Sequence, residues 1–394
     1  MSFDITLSGI KAINKQLEAV SNNIANSSTY GFKSSRANFS SLYAGNQANG
    51  VEISGVSQSI GTNGSMQTTG RGLDAAIQGR GFFVSRDQTG VMSYSRVGMF
   101  NVDKDGSLVD GVGRTVQGYG PSTNGALGAI GDIKIPTGQT PAVASTKLNY
   151  VGNLSSDWPA PAAAFDPTDA KSYNMVKQSV VFDSLGSQHT VSQYFVKTAA
   201  NTIDVHYSFD GGAPSATTQT LSFDSSGQLP APAPSPSLSF TPTNGSGPLS
   251  FSVDYTGTTQ FAGDATTTTN NADGWAAGSF VGVELAADGS VVAKYSNDQA
   301  QVVGTLAMAT FANESALTAT SGTSWSASSD SGTALYGQAG VGLNGKLATA
   351  ALEGSNVDIT SELVGLMTSQ RNYQANSKVI STENSMMQAL MQAM

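Results

Sequence analysis

The chain has 394 residues, 39% apolar but only 12% charged, enough for two or three domains and at least one buried core. Its polarity comes from 53 Ser, 37 Thr and 44 Gly, and its 19 basic against 28 acidic residues give a net charge of −9, with no global reason to bind nucleic acid or an anionic membrane. The absence of cysteine excludes disulfides, thiolate nucleophiles and Cys-ligated zinc; there is no apolar run of 18 residues, nor a basic head followed by a secretory apolar stretch.

From the N-terminus, Ile10, Ile13, Leu17, Val20 and Ile24 recur at spacings of 3 and 4, which predicts a helix over 4–26 with a heptad stripe. Asn22, Asn23, Asn26 and Ser27 crowd its end, and Gly31 stops it. Residues 27–70, rich in Ser, Asn and Gly, read as a connector. Residues 71–145 form a β-rich block that ends in the Gly/Pro/Thr stretch Pro121–Pro141.

The middle of the chain repeats one small unit: an apolar residue, Asp, two residues, then Gly. It occurs at Val102–Leu108, Phe182–Gly186 and Phe223–Leu229, with a variant at Ala287–Val291. Asp offers a side-chain turn bond and Gly a positive φ, so each is read as a hairpin turn. Alternating stretches flank them, and no long amphipathic helix intervenes, which disfavours a parallel βαβ sheet. Between Lys197 and Lys294 there is no Lys or Arg but there are eight acids, so most of the net charge falls in one solvated insertion.

At the C-terminus Leu363, Leu366, Gln370, Tyr373, Ser377, Ile380, Asn384, Met387 and Met391 share one heptad register, with Asn356 or Asp358 as candidate caps. A seam with Gln, Ser and Asn at its core positions is weak as a simple pair. It predicts that the two ends pair with each other and with copies from neighbouring chains; the plainer alternative is two helices packed on the main domain. The fold class is therefore mainly β with terminal α-helices. The expected domains are 1–26 with 357–394 (helical, polymerising), 27–70 with 345–356 (connector), 71–145 with 291–344 (first β-domain) and 146–290 (outer β-domain).

Chemistry finds little footing. Asp103-Lys104-Asp105-Gly106 begins like a calcium loop but has Val112 where the essential Glu belongs. His189 and His206 fall on separate strands with no third ligand at a recognisable spacing. Gly79-Arg80-Gly81 and Gly111-Val112-Gly113 are too short to cradle phosphate. No catalytic, cofactor or metal site is expected.

The ends carry a more specific signal. Asn22-Asn23-Ile24-Ala25-Asn26, followed by Gly31-Phe32-Lys33, resembles the N-terminal signature of the bacterial flagellar rod and hook family. Ser355-Asn356-Val357-Asp358-Ile359 and Gln370-Arg371-Asn372-Tyr373-Gln374-Ala375-Asn376 resemble its C-terminal partner. Gly70–Ile77, Gly81-Phe82-Phe83 and Tyr94-Ser95-Arg96 look like parts of its first β-domain, and Tyr295-Ser296-Asn297 resembles the strand by which the chain re-enters that domain. The length and central insertion are similar to the hook members rather than the shorter rod members. The resemblance implies two nested β-domains around terminal helices lining a channel, and a homopolymer forming a curved tube that transmits torque. It also implies rod, hook-cap, hook–filament junction and export-apparatus partners, no small-molecule substrate, and export to the extracellular hook without a cleavable signal. A distal rod subunit, or a secreted carbohydrate-binding β-protein, are the alternatives.

Overall fold

The computed structural model describes residues 2–44, 47–121 and 127–393. Residues 122–126 of the Pro121–Pro141 stretch, and Met1 and Met394 at the ends of the expected helices, lie outside the described residues. The chain folds as two compact units, Met1–Thr137 with Gly282–Lys294 and Ala300–Met394, and Gly138–Val281 with Tyr295–Gln299. Helix α1 (Ser2–Ala25) and helix α2 (Ile359–Ala393) both belong to the first unit, and the elements between them in sequence are mainly β-strands.

In the first unit, the segment read as a connector contains a long antiparallel hairpin, β1 (Ser35–Ala44) and β2 (Gln47–Gln58). Its alternation is diluted by Ser and Asn and broken by register shifts near Asn38 and Ser41, which hid it in the sequence. The hairpin lies on α1, where Ser8 Oγ accepts the Val51 N–H at 3.1 Å. Gly50, at φ +106°, permits that approach, because any Cβ there would run into Ser8.

The rest of this unit is woven from both ends of the sequence. Phe82–Arg86 pairs with Met92–Ser95, Thr115–Tyr119 and the returning Met308–Thr310. Asp74–Gln78 pairs with Lys346–Thr349, and Met66–Thr68 with Ala351–Glu353. Phe82, Tyr94, Phe311 and Trp325 meet edge to face in its core. Trp325 Nε1 donates to Gln58 Oε1 at 2.7 Å, tying the base of the hairpin to that core.

The second unit holds two four-stranded sheets over one core. One is a meander, Met175–Phe182, Gln188–Ala199, Thr202–Phe209 and Pro214–Ser222. The other runs in the order Ser237–Phe240, Leu249–Asp254, Lys147–Asn153, Thr266–Ala272 and includes one short parallel pair. Its core is partly polar. The Tyr207 and Tyr255 hydroxyls meet at 2.8 Å, Tyr255 donates to Gln193 Oε1 at 2.7 Å, and Gln193 Nε2 donates to Ser179 Oγ at 2.9 Å. Each buried polar atom in this relay finds a partner, which is how an hydroxyl-rich sequence closes a core.

The recurring Asp–Gly units form the expected tight turns. Asp103, Asp183 and Asp224 each accept two backbone N–H groups, at i+2 and i+4, before Gly106, Gly186 and Gly227 at positive φ. The third does not open a hairpin, contrary to expectation. Pro230, Pro232, Pro234 and Pro236 remove ladder donors, and Gln228 instead bridges to Thr259. The acidic insertion gains a reason as well. Asp224, Asp254 and Asp288 accept backbone N–H groups in turns, Asp273 accepts those of the distant Thr146 and Lys147, and Asp254, held near pKa 2 first by its hydrogen bond from Lys147, pairs with that ammonium at 2.7 Å.

Candidate functional site

The two terminal helices pack on each other antiparallel. Gly9 faces Asn376, Val20 faces Gly365, and Asn23 Nδ2 donates to Glu362 Oε1 at 2.8 Å. On α1 the covered residues are Thr6, Ala12, Ala19, Val20 and Asn23, while Ile10, Ile13, Leu17 and Ile24 are half-buried. On α2 the covered line runs through Glu362, Gly365, Leu366, Ser369, Asn376, Ile380 and Glu383.

Within the chain, the α1–α2 seam takes up only part of the α2 stripe. Leu366 and Ile380 lie on the shared seam, but Leu363, Gln370, Tyr373 and Ser377 are exposed beside it, as are Arg371 and Ala375, and Asn384, Met387 and Met391 are exposed where α2 runs beyond the start of α1. The reason is steric. Gly9, Ala12, Gly365 and Ser369 let the backbones close up along a small-residue line, and the bulky stripe beside it is left facing outward.

Below the helices lies a polar junction made from the signature residues. Asn23 Oδ1 accepts the Ser35 N–H and Asn23 Nδ2 donates to the Ser35 carbonyl, both at 2.8 Å, so one buried amide joins α1, β1 and α2. Asn22 and Asn26 close the end of α1, with Asn26 Nδ2 donating to Asn22 and Thr29 Oγ1 donating to Asn26. Ala25 is the last helical residue, and half-buried Phe32 follows the turn. Gly31, at φ +66°, turns its N–H onto the Glu353 carbonyl at 2.7 Å; a Cβ there would meet Val97 at 2.8 Å.

Lys33 then enters the interior. Its Nζ lies 2.6 Å from Glu353 Oε1 and donates to the Thr62 carbonyl at 2.7 Å; both charged side chains are fully buried. Arg96 approaches the other Glu353 oxygen at 3.7 Å and donates to the Gly79 carbonyl at 2.8 Å. Burial, the largest influence, holds the Lys33 ammonium below its ordinary range, against the hydrogen bond and charge of Glu353. Asn356 fastens the return strand by accepting the Ser34 N–H at 2.7 Å and donating to the Ser59 and Thr62 carbonyls. Asp358, rather than Asn356, caps α2 by accepting the Thr360 N–H at 3.0 Å.

Glu353, Glu362 and the anchoring role of Arg96 escaped sequence reasoning. The lone acid in Ala351-Leu352-Glu353 was the available signal, since an isolated carboxylate in an apolar strand calls for a buried cation. Exchanging Asn23 for Ala is expected to cost about 2 kcal/mol, because the Ser35 backbone and Glu362 lose a shared partner. Denaturant unfolding with amide exchange at Ser35 measures it.

Most of these polar groups bond to one another, while Glu353 Oε2 meets Arg96 only at ion-pair distance and the buried Arg96 Nε makes no hydrogen bond. Among the described residues no group of three or more His, Asp and Glu is placed to hold a metal. The buried polar groups tie the two ends of the chain together through Asn23 with Glu362, Lys33 with Glu353 and Ser34 with Asn356. Four family models match in chain order: Flagella basal body rod protein (residues 3–33), Flagellar hook protein FlgE/F/G D1 domain (76–155), Flagellar basal body protein FlaE D2 domain (153–275) and Flagellar basal body rod FlgEFG protein C-terminal (348–393). The flagellar hook proteins FlgE of Escherichia coli K12 and Salmonella typhimurium LT2 are each 38% identical, over 99% of this chain and 99% of their own length. The crystal structure of Helicobacter pylori hook protein FlgE2 shares the fold, with TM-score 0.54 and 14% identity over 73% of this chain and all of that one. The chain belongs to the flagellar hook protein FlgE family. It is a non-enzymatic structural subunit of the hook, outside the cell, and serves motility as part of an assembled flagellum.

Proposed function

We propose that this subunit polymerises through its terminal helices into a curved, bendable tube that passes motor torque to the filament and lines part of the export channel. In this reading 1–26 with 357–394 form the inner layer, 27–70 with 345–356 the connector, 71–145 with 291–344 a first β-layer and 146–290 the outermost one. Its neighbours are then copies of itself along the tube, rod and hook–filament junction proteins at the ends, a cap during growth, and the export apparatus through which it leaves without a cleavable signal.

The observation that carries the reading is the bulky face of α2. Leu363, Val364, Met367, Tyr373, Met387 and Met391 remain 40–73% exposed although the helix has already taken a partner. Covering them in a polymer gains about 25 cal/mol per Å² of apolar surface. Gln370, Ser377 and Asn384, exposed among them, exchange hydrogen-bond partners at similar energy as the tube bends.

Placing carboxylates on this face with Leu363→Asp and Tyr373→Asp is expected to abolish tubes in electron micrographs while far-ultraviolet circular dichroism stays unchanged. Tubes of ordinary yield would overturn the reading. Leucine at 370, 377 and 384 is expected to give tubes that assemble but bend less.

A further inference from the structure

The α1–α2 seam runs out of partner before α2 ends. Extending the antiparallel register set by Asn23 with Glu362, Val20 with Gly365 and Gly9 with Asn376 brings Ser2 opposite Glu383. Residues 384–393 therefore project about 15 Å past the start of α1. The heptad spacing that buries 376, 380 and 383 continues without a break to Met387 and Leu390. With no α1 to cover them, these side chains are 64% and 63% exposed, and Met386 and Met391 beside them 61% and 73%. The overhang carries no charged residue.

The same unit holds an open trough of about 380 Å³ between α1, α2 and the hairpin. Gly9 and Ile13 form one wall, Ala375 and Asn376 the other, and Phe39 and Val51 the floor. It exists because Gly9, Ala12 and Ala375 are too small to fill the space above the hairpin. Among the described residues no charged one lines it, and Phe39 stays 39% exposed there.

We propose that the α2 overhang of one copy seats in this trough of a second copy, with Met387 and Leu390 as the inserted side chains. The inference rests on the reading of α2 as an interface between copies and names the surface that receives it. Three features select the occupant. The overhang continues a seam already formed within the chain. Both surfaces are uncharged and present exposed apolar side chains among neutral amides, so burial favours their contact and no charge opposes it. A projection and a trough at different places on one chain make a head-to-tail contact, which builds a many-copy ring or helical polymer rather than an isologous dimer. Methionine also suits a joint that bends, because its unbranched thioether refills an irregular gap as the gap changes shape.

The cysteine-free sequence makes the test clean. Full-length Met387→Cys and Val51→Cys subunits are co-assembled with an excess of unaltered chain, so that tubes form regardless of either change, and then oxidised. The expected product is a disulfide-linked dimer joining positions 387 and 51, identified by peptide mass spectrometry. It should require both variants and disappear when the tubes are dissociated before oxidation. Tubes without a 387–51 link, or with 387–387 links alone, overturn the proposal while leaving the interface reading standing. Failure of the interface reading shows separately, as normal tubes from the Leu363→Asp, Tyr373→Asp chain.

Discussion

Glu353→Gln is expected to destabilise the first unit by about 3–5 kcal/mol, the cost of stranding a buried charge. The physics lies in what remains. Lys33 and Arg96 are buried cations that share this one carboxylate, 2.6 Å and 3.7 Å away, and the glutamine amide neutralises neither. The same carboxylate accepts the Gly64 N–H at 2.9 Å, so a loop loosens as well. For a unit of this size the loss amounts to a fall of about 10 °C or more in Tm. The diagnostic variant is the double change Lys33→Met, Glu353→Gln. Removing both charges spares their desolvation, so it should cost clearly less than the two single changes together. Calorimetry of the four chains closes the cycle, and strict additivity would refute the buried pair as a coupled unit. The expected consequence for assembly is indirect: a loosened junction misaims α1 and α2, and tubes form at lower yield.

The second unit is expected to lose stability as pH rises, because of a histidine held between two acids. His189 Nδ1 lies 2.8 Å from Asp210 and Nε2 lies 3.2 Å from Asp183. Ionised carboxylates only accept hydrogen bonds, so both ring nitrogens can donate only in the imidazolium form. Phe240 packs edge-on against the ring, and Asn244 donates to the same Asp183 oxygen at 2.6 Å. Burial works to lower the His189 pKa, but the bonds to Asp210 and Asp183 prevail and raise it. Asp183 moves the other way: its burial is outweighed by hydrogen bonds from Asn244, Ser187 and His189, which hold it well below the carboxylate range.

The signs follow by linkage. A raised histidine contributes fully below its unfolded pKa of about 6.5, and that contribution is lost as pH climbs through the folded value. A depressed aspartate contributes above its unfolded value of about 3.9, and that is lost as pH falls through the folded one. Stability from this cluster is therefore greatest between about pH 4 and 6.5. The alkaline loss is on the scale of one hydrogen bond to a charged group, about 2 kcal/mol. Denaturant unfolding of the second unit at pH 6 and pH 9 measures it, and His189→Gln should flatten the difference. An ordinary His189 titration midpoint by nuclear magnetic resonance would contradict the clamp.

Much of this was legible in the chain itself. The terminal helices announced themselves by their spacing, the tight turns by Asp and Gly, and the family by Asn22–Lys33 and Gln370–Asn376. The hairpin was not legible, because the alternation of Phe39, Val51 and Ile53 is interrupted by bulges and by serine. Nor was the α2 seam. Periodicity gives the period of a stripe but not which of two adjacent stripes meets the partner, and small residues won that contact because close backbone approach outweighs side-chain bulk. The signature itself was recognised without its reason, which is the set of buried bonds made by Asn23, Gly31 and Lys33.

Low charge, absent cysteine and two helical ends were properties of the sequence alone, since composition and local spacing need no partner to be read. Tertiary structure decided what long-range contact alone can decide. It paired Lys33 with Glu353, 320 residues apart in the chain, and it left the bulky face of α2 without cover. It also gave the acidity of the middle of the chain its place, as turn caps and ion pairs, because a carboxylate's role depends on which N–H groups the fold brings to it.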